Sequence, residues 1–431
     1  MERLSLPRID ADWSKLIDLE SRTVSPRVFV DPAIYEIEQE RIFNRCWLFV
    51  GCESQIPNPG DFFTNSMGEE PVIVTRAEDG KIHVFINSCR HRGSRVCRIE
   101  HGNARSFTCP YHGWTYDLRG KLTGVPRLRE AYYGDLDRDQ WGLLEAPKVE
   151  SYCGLIFACL DSGAQSFESY LGNAKWYLDI LFSRTPGGAV ALPGVHKWNI
   201  NGNWKINSEQ QAGDNYHTDY LHRSMLEVDF VDKGFRGGEP WVRDFEVKAD
   251  NGHGFMNLAI GYVKDYPEAI IEYEKRVHAE ASKHLAPEQA KLVYNGNTHV
   301  ANIFPNLSII SFAGFTSVRV NHPREPMRHE IWSVATVDRD APEVVRAYAR
   351  DMQNRTFSST GIFEQDDGEM WADASRTLRG SYRRRFPLNY QMGAGHGRTL
   401  PEKPGLIHPP NTEISVFNLY ERWFELMSRA E

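Results

Sequence analysis

A chain of 431 residues, 41% hydrophobic and 25% charged, has the length and composition of an ordinary globular protein of two or three domains. A net charge of −8 with no basic block or stripe argues against nucleic acid as a partner. No apolar run approaches the roughly 18 residues that span a membrane, and MERLSLPRIDADW holds no apolar signal region, so a cytoplasmic protein is expected. The 7 cysteines are odd in number and not spaced as a disulfide framework; Cys46, Cys52, Cys97, Cys153 and Cys159 read as reduced, mostly buried thiols.

Residues 32–44 carry apolar positions at helical spacing behind Asp31, an N-cap with Pro32 at the first helical position. From Trp47 the runs are short and β-like, at 71–75, 81–86 and 154–160, with turn signals at Asn58–Gly60 and Glu78–Gly80 between them. They predict an all-β module over roughly 45–155, closed by a helix at 166–182. Beyond Gly187 and Gly188 the pattern becomes mixed α/β. Strands are predicted at 195–200, 308–312, 316–320 and 330–337, and helices at about 208–224, 266–293, 342–357, 361–378 and 415–429. The mostly charged 266–293 stretch reads as a solvated face rather than a binding surface. Internal repeats and low-complexity tracts are absent.

Two loops of matching design lie within the β module. One carries Cys89 and His91, the other Cys109 and His112, with Gly93 and Gly113 just after each His. Zinc sites of mixed composition usually pair CxxC with HxxxH; here each loop supplies one thiolate and one imidazole. That pattern suits a Rieske [2Fe–2S] centre, with Cys89 and Cys109 on one iron and His91 and His112 on the other. Imidazoles in place of thiolates reduce the cluster's negative charge and raise its potential, so that ordinary ferredoxins can reduce it. The competing reading is a structural zinc knuckle.

The segment from Asn203 to His222 is the second centre of interest. On an ideal helix His217 and His222 diverge by about 140°, so both reach one metal only where the helix ends or bulges. Two His and one carboxylate form the facial triad of O2-activating non-haem Fe(II), which leaves positions open. Gly361–Trp371 offers Glu364, Asp366, Asp367 and Glu369 among apolar residues. Adjacent Asp366 and Asp367 repel unless a cation or hydrogen bonds relieve them. At this level two surface histidines and a solvated acidic turn remain the alternative.

Taken together, CRHRGSRVC at 89–97, CPYHGWTYDLRG at 109–120, EQQAGDNYHTDYLH at 209–222 and GIFEQDDGEMW at 361–371 resemble the large (α) subunit of Rieske non-haem iron aromatic-ring-hydroxylating dioxygenases. The resemblance covers essentially the full length, and Gln210 with the EQDD segment places it nearest the biphenyl, toluene and phenylpropionate branch. It implies an α+β chain: a helical segment over 1–44 belonging to the catalytic part, an all-β Rieske domain over 45–160, and a catalytic domain over 161–431 with an antiparallel sheet covered by helices. It implies Cys89, His91, Cys109 and His112 as cluster ligands, and His217, His222 and Asp367 as ligands of a mononuclear Fe(II). Asp214 matches the family's electron-transfer bridge; three residues before His217, it is expected on the same helix face. The implied activity is cis-dihydroxylation of an aromatic substrate with O2, fed by NADH through a reductase and/or ferredoxin, in an α3 or α3β3 assembly with a small β subunit. Alternatives of the same fold are a Rieske monooxygenase or demethylase without a β subunit. A Rieske electron carrier is the remaining one, against which the length and the His217/His222/Asp367 set count.

Gln211 departs from the family pattern, where the residue after the Asn or Gln is usually Phe. With Thr218 and Asp219 beside His217, it suggests a substrate carrying a polar group such as a carboxylate, hydroxyl or ring heteroatom. Pocket candidates are Gln210, Gln211, Thr218, Asn302 and Phe363, with Phe304, Ile309, Phe312, Ile362 and Trp371 behind them. Phe363 stands foremost, four residues before Asp367 on one helix face.

Overall fold

The computed structural model describes residues 12–228, 230, 241, 243–259, 265–293 and 296–429; the N-terminal residues that bear on a signal peptide lie outside them. Phe43–Ala164 forms one compact unit, and the residues before and after it form the other. The N-terminal helix α1 (Pro32–Glu38) starts as its sequence dictates, with Asp31 Oδ1 accepting from Ala33 N–H at 3.1 Å. A π turn at Gln39–Phe43 replaces the rest of the predicted helix.

The smaller unit is built from ten short strands. They are β1 (Leu48–Cys52), β2 (Asp61–Met67), β3 (Glu70–Arg76), β4 (Ile82–Ile86), β5 (His101–Asn103), β6 (Ser106–Thr108), β7 (Thr115–Asp117), β8 (Leu122–Gly124), β9 (Lys148–Tyr152) and β10 (Leu155–Cys159). Three antiparallel sheets result, in the orders β4-β3-β2-β5, β8-β7-β6 and β9-β10-β1. Phe62, Ile73, Phe85, Phe107, Trp114 and Tyr116 pack into one core that also takes in Cys89 and Cys109.

In the larger unit the predicted 166–182 helix is two, α2 (Phe167–Leu171) and α3 (Ala174–Phe182), broken at Gly172. Gly172 has φ +49°, and a Cβ there would lie 2.6 Å from Asp250 Oδ2, the atom that caps Asn173 N–H at 3.0 Å. The following elements are β11 (Ala189–Ala191), β12 (His196–Ile200), α4 (Trp204–Gly213), α5 (Thr218–Leu221), β13 (Phe245–Lys248), β14 (Gly254–Ala259), α6 (Glu268–Ala281) and α7 (Pro287–Leu292). The 266–293 stretch is thus two helices, α6 burying a stripe of Ile270, Tyr273, Val277 and Ala281. Then come β15 (Asn297–Ile303), β16 (Leu307–Phe312), β17 (Phe315–Glu325), β18 (Arg328–Asp338), α8 (Glu343–Thr356), α9 (Ile362–Leu378), β19 (Arg398–Leu400), β20 (Lys403–His408) and α10 (Ile414–Ser428).

A ten-stranded antiparallel sheet runs β11-β18-β17-β16-β15-β14-β13-β20-β19, with β12 also on β18. Helix α4 packs over its middle strands and against α10. One buried carboxylate ties these helices to α1. Glu38 accepts from Lys205 Nζ at 2.6 Å, Trp423 Nε1 at 2.7 Å and Trp204 Nε1 at 3.0 Å, with Glu38 and Lys205 fully buried. Breaking such a pair leaves an uncompensated buried charge. We therefore expect Glu38→Ala to cost about 3–5 kcal/mol of stability, read as a shifted denaturant midpoint; a shift near zero would show that Lys205 does not need Glu38.

Candidate metal centres

The two Cys/His loops share a backbone. Gly93 N–H donates to Cys89 O at 2.8 Å and Cys89 N–H to Ser94 O at 2.9 Å. Gly113 N–H donates to Cys109 O at 3.0 Å and Cys109 N–H to Trp114 O at 2.8 Å. The two glycines have φ +72° and +73°, a region glycine enters without strain. The loops are therefore equal in length from Cys to Gly, and only the His position shifts by one. This brings the His91 and His112 rings to 4.5 Å while Cys89 and Cys109 stay buried. Trp114 stacks on His91 at 5.0 Å, and exposed Tyr111 covers His112 at 3.7 Å.

A single zinc ion needs its donors within about 4 Å of one another. Among the described residues, the one set of three or more Cys, His, Asp or Glu donors lying within 4.8 Å of each other is His217, His222 and Asp367. The Cys/His loops are more widely spread, which a zinc knuckle does not allow and a two-iron cluster does. Burial pushes the Cys89 thiol up, the Tyr116 hydrogen bond opposes this, and Cys109 adds to it. A cation shared by the pair would favour the thiolate forms.

Tyr116 stands inside the quoted motif but has no role assigned from sequence. Its hydroxyl lies 3.3 Å from Cys89 Sγ and accepts Arg90 N–H at 3.2 Å, so its own proton is free for the sulfur. Hydrogen bonds to ligand sulfurs raise cluster potentials. Tyr116→Phe is expected to lower the reduction potential by tens of millivolts, on the order of one lost hydrogen bond; an unchanged potential by protein-film voltammetry would show that the hydroxyl does not act on the sulfur.

At the second centre the predicted helix over 208–224 does not form as one piece, and Asp214 does not share a helix face with His217. Helix α4 ends at Gly213, where a Cβ would collide with Ser415. Asp214 is the extended C-cap, and its Oδ1 accepts His217 N–H at 3.3 Å. His217 and His222 then cap the two ends of the single turn α5, which sets their rings 5.1 Å apart at 78°. Their Nε2 atoms lie 3.6 and 3.2 Å from Asp367 Oδ1. Asp367 is buried, and among the described residues no group donates a hydrogen bond to that oxygen. The Nδ1 atoms face separate carboxylates, His217 on Asp214 at 3.4 Å and His222 on Asp366 at 3.5 Å. The adjacent aspartates are thus divided, Asp366 holding a ring from behind and Asp367 facing both rings from the front. Burial disfavours the charged His217 ring, yet Asp214 and Asp367 outweigh it and raise its pKa. Two imidazoles and a carboxylate with an orphaned oxygen fit a non-haem Fe(II) donor set.

The pocket candidates separate. Phe363 meets the His222 ring edge-on at 5.0 Å, with Phe312 at 5.6 Å and Phe357 stacked at 5.0 Å behind it. Phe357, just past the end of α8, carries no sequence signal that marks it for the site. Gln210 Oε1 accepts Trp371 Nε1–H at 2.6 Å, so both side chains tie α4 to α9. Asn302 is fully buried beside Ser308, 3.5 Å away, within a polar cluster that also holds Asn321, Asn207 and Ser208. Phe304 is core, its N–H on His253 Nδ1 at 3.0 Å. Strand alternation turns Ile309 to the sheet face opposite Phe312. Thr218 and Ile362 are half-buried and Asp219 is exposed, which removes Asp219 from the argument for a polar site.

Carboxylates behind metal-binding imidazoles typically change metal affinity 10- to 100-fold. Asp366→Ala should weaken iron retention by about that factor while the cluster's visible spectrum stays; equal iron content in both proteins after dialysis would remove Asp366 from the site.

Residues 46–150 match the Rieske [2Fe–2S] domain, and residues 167–424 match the catalytic domain of the ring-hydroxylating alpha subunit. The chain is 41% identical to the biphenyl 2,3-dioxygenase subunit alpha of Rhodococcus jostii RHA1, covering 98% of this chain and 92% of the relative. It is 36% identical to the benzene 1,2-dioxygenase subunit alpha of Pseudomonas putida, covering 98% and 96%. The crystal structure of the Rhodococcus sp. naphthalene 1,2-dioxygenase bound to indole superposes with a TM-score of 0.84 at 36% identity, covering 94% of each chain. With two sets of donor side chains of matching chemistry on these elements, the chain belongs to the ring-hydroxylating alpha subunits and is the oxygenase component of an aromatic-ring dioxygenase, with a Rieske [2Fe–2S] cluster and a mononuclear iron that uses O2.

Proposed function

We propose that Cys89, His91, Cys109 and His112 hold the cluster and that His217, His222 and Asp367 hold the iron. The observation that carries this is the convergence of both Nε2 atoms on the unpartnered, buried Asp367 Oδ1. When bound, the two cofactors supply one-electron transfer and O2 activation. The reaction is cis-dihydroxylation of an arene: both atoms of O2 join adjacent ring carbons, with two electrons from NADH and two protons. A reductase and/or ferredoxin delivers the electrons in the cytoplasm.

The chain's own residues orient this chemistry. Asp214 and Asp366 fix the two rings so that their Nε2 atoms face inward. Phe363, Phe312 and Phe357 give an apolar aromatic wall beside His222, suited to stacking a substrate ring and keeping water from it. Asp214 is the positioning residue through which His217 would join His112 of the partner subunit, which makes an α3 or α3β3 assembly part of the proposal.

His217→Ala is expected to lose mononuclear iron and oxygenation while keeping the cluster's visible spectrum; retained activity would rule out the iron assignment. Asp214→Ala is expected to keep both cofactors and a reducible cluster, yet to slow substrate-triggered reoxidation of that cluster. Reoxidation at the unaltered rate in stopped-flow would overturn the bridge.

A further inference from the structure

Gln210 and Gln211 are neighbours on α4 with opposite fates. The first spends its carbonyl on Trp371 at 2.6 Å. The second is 3% exposed, and its Oε1 receives no hydrogen bond from any described residue. A buried carbonyl without a donor is unfavourable, and a bound group that donates to it relieves the cost.

The faces of α4 indicate where that oxygen lies. Ala212 meets Gly254 at the start of β14, and Gly213 meets Ser415 on α10. Asn207 and Ser208 face the sheet, where they meet Asn321 and Pro305 O. Gln211 follows them by four and three residues, so it continues the sheet-facing stripe one turn toward His217. On the facing strand β16, alternation places Ser308, Ile310 and Phe312 on one side. Ser308 bonds Asn321 at 2.8 Å, while Phe312 packs on Phe363 beside His222. The stripe therefore leads from a buried polar cluster to the aromatic wall at the metal centre, and Gln211 carries an unsatisfied acceptor along it.

Resting on the dioxygenase reading above, we propose that Gln211 is a specificity residue that selects aromatic rings bearing a hydrogen-bond donor, such as a hydroxyl, an amino group or a ring N–H, over plain hydrocarbons. The bond forms in the ground state as in the transition state, so its effect falls on KM.

The test uses the reconstituted holoenzyme with toluene, phenol and aniline, rings of one size that differ in the substituent. Phenol and aniline should exceed toluene in kcat/KM by about tenfold or more. Gln211→Leu and the longer Gln211→Met should erase that preference through KM, with iron content and cluster spectrum held. A wild-type preference for toluene, or variants that keep the phenol-to-toluene ratio, would overturn the proposal while leaving the dioxygenase reading intact. Oxygenation of none of the three would overturn that underlying reading.

Discussion

Asp367 presents a buried carboxylate oxygen between the Nε2 atoms of His217 and His222, at 3.6 and 3.2 Å, to which none of the described residues donates a hydrogen bond. A charge in that position is costly unless a cation shares it. Much of the larger unit is arranged to keep it there. Helix α9 carries Asp367 inward and Asp366 to the back of His222, α4 stops at Gly213 so that Asp214 can reach His217, and Gln210 ties α4 to α9 through Trp371. Each ring is held from behind by a different carboxylate, which leaves Nε2 as the inward-facing donor on both.

The smaller unit solves a different problem with the same economy of parts. Two loops with one backbone hydrogen-bond pattern present two buried thiols and two half-buried imidazoles. The one-residue offset between His91 and His112 lets equivalent loops place both rings on one rim. Tyr116 from the adjoining strand then adds a proton aimed at Cys89 Sγ. Electron storage and oxygen chemistry thus occupy separately folded units, each with its donors set by short local segments.

That separation explains what the sequence discloses. Cys89/His91, Cys109/His112 and the His217/His222 pair stand out because each sits in a short motif whose residue types are chemically restrictive, whereas Asp367 is picked from the four carboxylates of its segment only by the family resemblance. Four strands of the large sheet, β12, β16, β17 and β18, are legible because alternation and β-branched residues mark them, although β17 and β18 extend beyond the predicted ends; β11, β13, β14, β15, β19 and β20 lie outside the predicted strands. The ends and breaks of helices are not legible, since they depend on remote partners: Asp250 stops α2 at Gly172, and Ser415 requires glycine at 213. Pocket residues are hardest. Gln210 and Gln211 look alike in sequence, and only the position of Trp371 on another helix separates the spent amide from the free acceptor. Phe357 falls outside every motif and enters the wall through its stacking on Phe363.

The central claim is that this chain adds both atoms of one O2 molecule to an aromatic ring. Turnover under an equal mixture of 16O2 and 18O2, followed by mass spectrometry of the diol, tests it most directly. The account predicts products with two heavy oxygens or none. A product population dominated by one heavy oxygen would contradict it.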